Sequence, residues 1–258
     1  MSTYPPPPPV STNPESYREA PPIQVQIKSP QVKPIATYAL VGITIFFYSF
    51  QALSKLLFGG ADFPAALGAK VNQYIELGQI WRFITPVFLH GSILHIALNM
   101  YALFVLGPSL ERFYGHLRFL MLYFIGGFCG NVASYIMSTN NSLGASTAIF
   151  ALILAQAVFV YQNRKYFGSR AKSMLLNMGF IVILNLVLGL SPGIDNWGHL
   201  GGLVGGAIFS WFAGPIMELE GFPPILSMKD KRDNKRAFMI FLVILVIAGG
   251  IAVAKIIS

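Results

Sequence analysis

Acidic side chains are scarce: the chain has ten Asp and Glu in 258 residues. Aspartyl proteolysis needs two carboxylates sharing one site. No such pair falls within an apolar segment, since Glu111 closes one segment and Asp195 lies in the loop before another, so that chemistry is excluded. A His-Glu-x-x-His run, which would hold zinc from one helical face, is also missing, and His90 and His95 are five apart, a poor helical spacing. No metal or cofactor is expected. The single cysteine, Cys129, rules out an intrachain disulfide and suits packing. No apolar run closely follows the N-terminus, so a cleavable signal peptide is not expected. No inverted repeat recommends a channel or transporter. Charged residues make up only 11 % of the chain, against 54 % hydrophobic, with a mean hydropathy of +0.60. A soluble domain does not have that composition, and a polytopic membrane protein does.

The formal charge of +8 does not indicate nucleic acid, because the basic residues sit in short clusters between apolar segments. Residues 1–34, rich in proline and including the run Pro5 to Pro9, are expected to form a disordered or polyproline II cytoplasmic tail; such a tail can dock SH3-type or WW-type partners. Seven spans are expected at about 35–57, 92–112, 117–138, 145–163, 173–191, 198–216 and 237–257. Residues 58–91 are too polar and too broken by Gly and Pro to cross hydrocarbon, so they should lie in the interface, with Trp81 a possible anchor there. Residues 217–236 read as a basic cytoplasmic linker, its run from Lys229 to Arg236 a topology determinant with anionic headgroups as secondary partners. With the tail inside, the clusters at Arg112/Arg118, Arg164–Lys172 and Lys229–Arg236 all fall on the cytoplasmic side, which puts the C-terminus outside. The simplest location is a bacterial plasma membrane, since no organelle address is evident.

That topology has a chemical consequence. The second, fourth and sixth spans all begin at the outer face, which gathers His90, His95, Asn99, Ser146 and His199 at one depth. His116, in an inner loop, reads as a solvated residue. A serine is a weak nucleophile without a base and without donors for the oxyanion formed on attack. His199 can take the Ser146 proton. His95 and Asn99, four apart on one helical face, can supply donors beside the Ser146 amide, and five polar groups favour a wet cavity. No carboxylate is placed to orient His199 as a triad would, so a dyad is expected. A plainer reading stays open: Ser146 as a helix cap, His95 and Asn99 as interhelical glue, and Gly198-x-x-x-Gly202-x-x-x-Gly206 with Ala148, Ala151 and Ala155 as a packing seam.

Taken in order, these features resemble the rhomboid family of intramembrane serine proteases over about residues 35–216. The run from Gly78 to His90, with Trp81-Arg82, is similar to the family's interfacial loop, and His90-x-x-x-x-His95-x-x-x-Asn99 to its second-span signature. Gly107-x-x-x-Glu111-x-x-x-Gly115 resembles its structural motif, Gly144-Ala145-Ser146 its nucleophile motif, and Gly198-His199-x-x-Gly202-x-x-x-Gly206 its histidine helix. The resemblance implies an all-α polytopic fold with a six-helix core, 35–216, and one additional C-terminal helix, 237–258. It implies Ser146 as nucleophile, His199 as base, and an oxyanion hole from His95, Asn99 and the Ser146 amide. Phe150 would pack on the histidine ring, Trp81 and Arg82 would fix the loop, and Glu111, Gly144, Gly202 and Gly206 would be structural. His90 is left out of the catalytic set. The implied partners are the lipid bilayer and substrate transmembrane segments that are locally unstable and carry a small residue at the cut. One position departs from the pattern: Thr147 stands where the family usually has glycine, and its methyl or hydroxyl can crowd or compete for Ser146. It keeps an alternative alive, a catalytically inactive relative that binds transmembrane helices.

Overall fold

A computed structural model describes Pro5 and residues 25–258. Most of the expected disordered tail lies outside the described residues. The described chain runs β1 (Gln26–Lys28), α1 (Ile35–Leu57), α2 (Phe63–Gly68), α3 (Asn72–Glu76), α4 (Ile93–Met137), α5 (Ser146–Gln162), α6 (Arg170–Leu188), α7 (Asn196–Ala213), β2 (Met217–Phe222), β3 (Ile225–Asp230) and α8 (Asn234–Ile256). Two 3-10 turns, Ile80–Phe83 and Thr85–Phe88, close the segment before α4.

Among the described residues α1, α4, α6 and α8 are long and apolar enough to cross a membrane. The 45 residues of α4 are two spans joined at Gly115, whose φ of 72° and ψ of 163° break the helix. Glycine occupies that left-handed conformation without a Cβ penalty, and the halves, 93–114 and 116–137, each reach about 33 Å at 1.5 Å per residue. Helix α5 is apolar all round, with Thr147 to Ile153 wholly buried, and so sits in the middle of the body. By contrast α6 buries only Ala171 and turns nearly all its surface outward. The protein is a multi-pass helical membrane protein.

Two expectations, one for residues 217–236 and one for the N-terminal tail, need correction. Residues 217–230 are not a plain linker but an antiparallel hairpin, β2 with β3, in register Glu218↔Lys229 and Glu220↔Ser227. Residues 26–28, expected in the unstructured tail, add β1 parallel to β3, giving the order β1-β3-β2. Charge favours the hairpin register, with Lys229 on Glu220 and Lys231 on Glu218, although such exposed pairs contribute little. More is gained where the hairpin meets the helices. Buried Arg118 bonds Asp230, the Asn234 Oδ1 and the Arg232 carbonyl. Arg232 and Arg236 donate to the Trp211, Gly214 and Phe212 carbonyls, closing the C-terminus of α7, where cations also favour the helix dipole. Part of the basic run is thus structural.

His116 is likewise more than a solvated loop residue: its Nδ1 bonds the buried Glu111 carboxylate while its side chain stays 47 % exposed.

Candidate active site

Helix α5 starts late and abruptly. Gly144, at φ 137°, turns the chain into it, the Gly144 N–H donates to the Pro86 carbonyl (2.9 Å), and the Ala145 N–H donates to His90 Nε2 (3.3 Å). His90 is itself fixed: its N–H and carbonyl both bond the Gln51 amide. Ser146 is therefore the first residue of α5 and not its cap. Ala145 holds the cap position, and no side chain caps the helix. The plain capping reading of Ser146 does not hold, and its hydroxyl is engaged elsewhere.

It meets His199. The Asp195 side chain caps α7, accepting the Gly198 N–H (2.9 Å), while its carbonyl accepts the His199 N–H (3.1 Å). The imidazole is thereby carried on the first turn of the helix, with His199 Nε2 2.9 Å from Ser146 Oγ. Phe150, one turn after Ser146, stacks on the ring at 4.2 Å between centroids and 9° between planes. A flat contact of this kind leaves the imidazole little freedom to rotate.

The two backbones are close where α7 carries Gly202 and Gly206. A Cβ on Gly202 would collide with the Thr147 carbonyl, and one on Gly206 would fall 2.5 Å from the Ala151 Cα and carbonyl oxygen. Thr147 does not crowd the dyad. Its side chain turns into the junction of α4, α5 and α7, its Cγ2 3.1 Å from where a Cβ on Gly198 would stand, and Gly130 leaves room for its Cβ. Its Oγ1 is buried without a partner. An unpaired buried hydroxyl costs on the order of 1 kcal/mol or more. Thr147→Val should therefore raise stability by about 1 kcal/mol, and Thr147→Gly should lower it, both read by thermal unfolding. A less stable Thr147→Val protein would show that the hydroxyl is satisfied.

His95 stands beside this pair: a Cβ on Gly144 would lie 2.8 Å from the His95 Nε2 and 3.7 Å from Ser146 Oγ. Asn99 is buried, and its Nδ2 donates to the His95 carbonyl (2.9 Å), so one of its two amide hydrogens is committed within α4. The first amides of α5, Ser146's included, have no acceptor within the helix. Trp81, Arg82 and Glu111 lie apart. Half-exposed Trp81 donates to the Leu67 carbonyl (3.0 Å), and buried Arg82 donates to the Ala66 and Ala69 carbonyls (both 2.7 Å) while facing Tyr74. Together these bonds tie the turn Ile80–Phe83 to the end of α2.

One loop residue drew no attention in the sequence. Lys70 is fully buried, and its Nζ donates to Asn72 Oδ1 (3.0 Å) and the Asn140 carbonyl (2.7 Å), with the Ser134 and Ser138 carbonyls at 3.4 and 3.3 Å. Its backbone pairs with Ser142 in both directions. Burial pushes its ammonium down to about 8, against the opposing charge of Asp195. A lone loop lysine looks solvated in sequence, and only the carbonyls at the end of α4 reveal otherwise. Among the described residues no group of three His, Cys, Asp or Glu is arranged to hold a metal.

A family model described as the Rhomboid domain matches residues 77–216. Rhomboid protease GluP of Bacillus subtilis (strain 168) is 38 % identical over 178 residues, 67 % of this chain and 34 % of that protein. Two Arabidopsis thaliana proteins are also similar. RHOMBOID-like protein 9, chloroplastic, is 35 % identical over 162 residues, 62 % of this chain and 37 % of its own length. RHOMBOID-like protein 5 is 31 % identical over 204 residues, 74 % of this chain and 64 % of its own. The chain thus spans about a third of the first two relatives' length. The matched domain covers more than half of the chain and includes both Ser146 and His199, and the chain belongs to the rhomboid family.

Proposed function

We propose that this protein is an intramembrane serine endopeptidase that cuts transmembrane segments of other proteins near the outer leaflet. The observation that carries this reading is the 2.9 Å approach of His199 Nε2 to Ser146 Oγ, with Phe150 stacked on the ring. In the reaction His199 Nε2 takes the hydroxyl proton as Ser146 Oγ attacks the scissile carbonyl carbon. The negative charge that develops on the carbonyl oxygen meets the Ser146 amide, His95 and the free hydrogen of the Asn99 amide. The imidazolium then gives its proton to the leaving amine and the C–N bond breaks; water, deprotonated by His199, next attacks the acyl carbon, and the C–Oγ bond breaks as the imidazolium returns the proton to Ser146 Oγ. A substrate must present an unwound peptide bond here, which favours segments with weak helices and a small residue at the cut. We read the N-terminus, the hairpin and its basic residues as cytoplasmic and the C-terminus as outside, in a membrane that is most simply a bacterial plasma membrane.

A fluorophosphonate probe tests the reading. Wild-type protein should be labelled covalently at Ser146, and Ser146→Ala should lose all labelling together with cleavage of a transmembrane substrate, while keeping its unfolding temperature. Unchanged labelling in Ser146→Ala would remove Ser146 from its role. Capture of transmembrane helices with no labelling of either form would favour the inactive binding protein, a reading that Thr147's packing away from Ser146 does not encourage.

A further inference from the structure

The dyad leaves two atoms unaccounted for. If His199 Nε2 is to accept the Ser146 proton, the ring's hydrogen must be on Nδ1, and Nδ1 is buried with no protein partner. At the same end of α7, one turn earlier, the Asp195 Oδ2 is also buried with no protein partner. Its companion oxygen is already committed to the cap. A donor without an acceptor and an acceptor without a donor thus stand at the same helix start, on two residues already joined by the bond from the His199 N–H to the Asp195 carbonyl. Leaving both unpaired is costly, and bridging by a single water is the way buried groups of this kind are commonly satisfied. Asp195 is held in place by its cap bond to the Gly198 N–H and by Gly198 itself, over which its Oδ2 lies with room for no Cβ there.

We propose that Asp195 is a positioning residue for His199, its Oδ2 accepting the Nδ1 hydrogen through one water molecule and so holding the tautomer that leaves Nε2 free to take the Ser146 proton. This rests on the serine-hydrolase reading above. Sequence alone does not suggest it, because Asp195 lies in the loop before the span. The cap is real, and it makes the test clean. Asn and Ser cap helices about as well as Asp, but neither offers a carboxylate oxygen beyond the cap bond.

Purified full-length wild type, Asp195→Asn and Asp195→Ser should be compared for the rate of fluorophosphonate labelling at Ser146 and for thermal unfolding. Both variants should unfold within about 2 °C of wild type yet label roughly 10- to 100-fold more slowly. That loss should lie in the bond-forming rate and not in probe affinity. A residue that only caps α7 would leave labelling unchanged in both. Labelling of either folded variant at the wild-type rate overturns the proposal. Absence of labelling in wild type overturns the nucleophile assignment, and the role of Asp195 with it.

Discussion

Gly202→Ala should reduce fluorophosphonate labelling of Ser146 by about 100-fold or more and lower stability by about 2 kcal/mol. The reason is what the new methyl would meet. At Gly202 the nearest atoms are the carbonyl oxygen, carbonyl carbon and Cα of Thr147, all backbone, so no rotamer change relieves the clash. The helices must separate, and the residue struck is the immediate neighbour of Ser146. Moving α7 by 1 Å takes His199 Nε2 beyond hydrogen-bond reach of a hydroxyl now 2.9 Å away. A misplacement of that size is what costs an enzyme about two orders of magnitude. Gly42→Ala is the control, since nothing lies within 4 Å of its added Cβ, and it should label as wild type does. If Gly202→Ala also labels normally, close contact between α5 and α7 is not what sets the dyad.

The membrane body was readable because its signal is local. A run of about twenty apolar residues identifies a span without reference to anything distant, and α1 falls at the expected 35–57. The break in α4 was readable for the same reason, since Gly115 and the polar residues around it interrupt the pattern. Ser146 and His199 are 53 residues apart, but counting spans put both helix starts on one side of the membrane, and so their meeting could be anticipated. What escaped was whatever depends on partners far along the chain. The hairpin is held by Arg118, more than a hundred residues before Asp230 and Asn234, and β1 pairs with residues nearly two hundred positions away. The sequence shows Thr147 beside Ser146 and suggests crowding; only Gly130 of α4 and Gly198 of α7 show where its side chain goes. Lys70 is hidden in the same way, because main-chain carbonyls, which every sequence has, are what bury it.

Glu111→Ala should lower stability by about 3 kcal/mol while leaving the labelling rate of the folded protein unchanged. Glu111 is fully buried, and its carboxylate accepts the Ala36 N–H (2.8 Å), the Thr37 N–H (2.7 Å) and the Thr37 hydroxyl (2.6 Å). Helix α1 has Pro34 at its cap position and no capping side chain of its own, so a carboxylate from another helix does that work. Bonds to a charged acceptor contribute about 1.5–3 kcal/mol each but do not add when they share one group, and a negative charge at a helix N-terminus adds a favourable dipole interaction. Removal leaves two amides and a hydroxyl buried without partners. Gly107, where a Cβ would strike the Thr37 side chain, holds the two helices too close for a replacement side chain to enter. Glu111→Gln should fall between, about 1–2 kcal/mol below wild type, because one face of its amide still accepts while the other presents a donor to donors. The chemistry should be spared because Glu111 is sixteen residues along α4 from His95, about 24 Å at 1.5 Å per residue. Thermal unfolding separates the variants, and labelling well below the transition tests the second half of the claim. A Glu111→Ala protein that unfolds with wild type would mean water reaches those amides. One that folds but labels slowly would mean that the middle of α4, beside the Gly115 break, is mechanically coupled to His95 near its start.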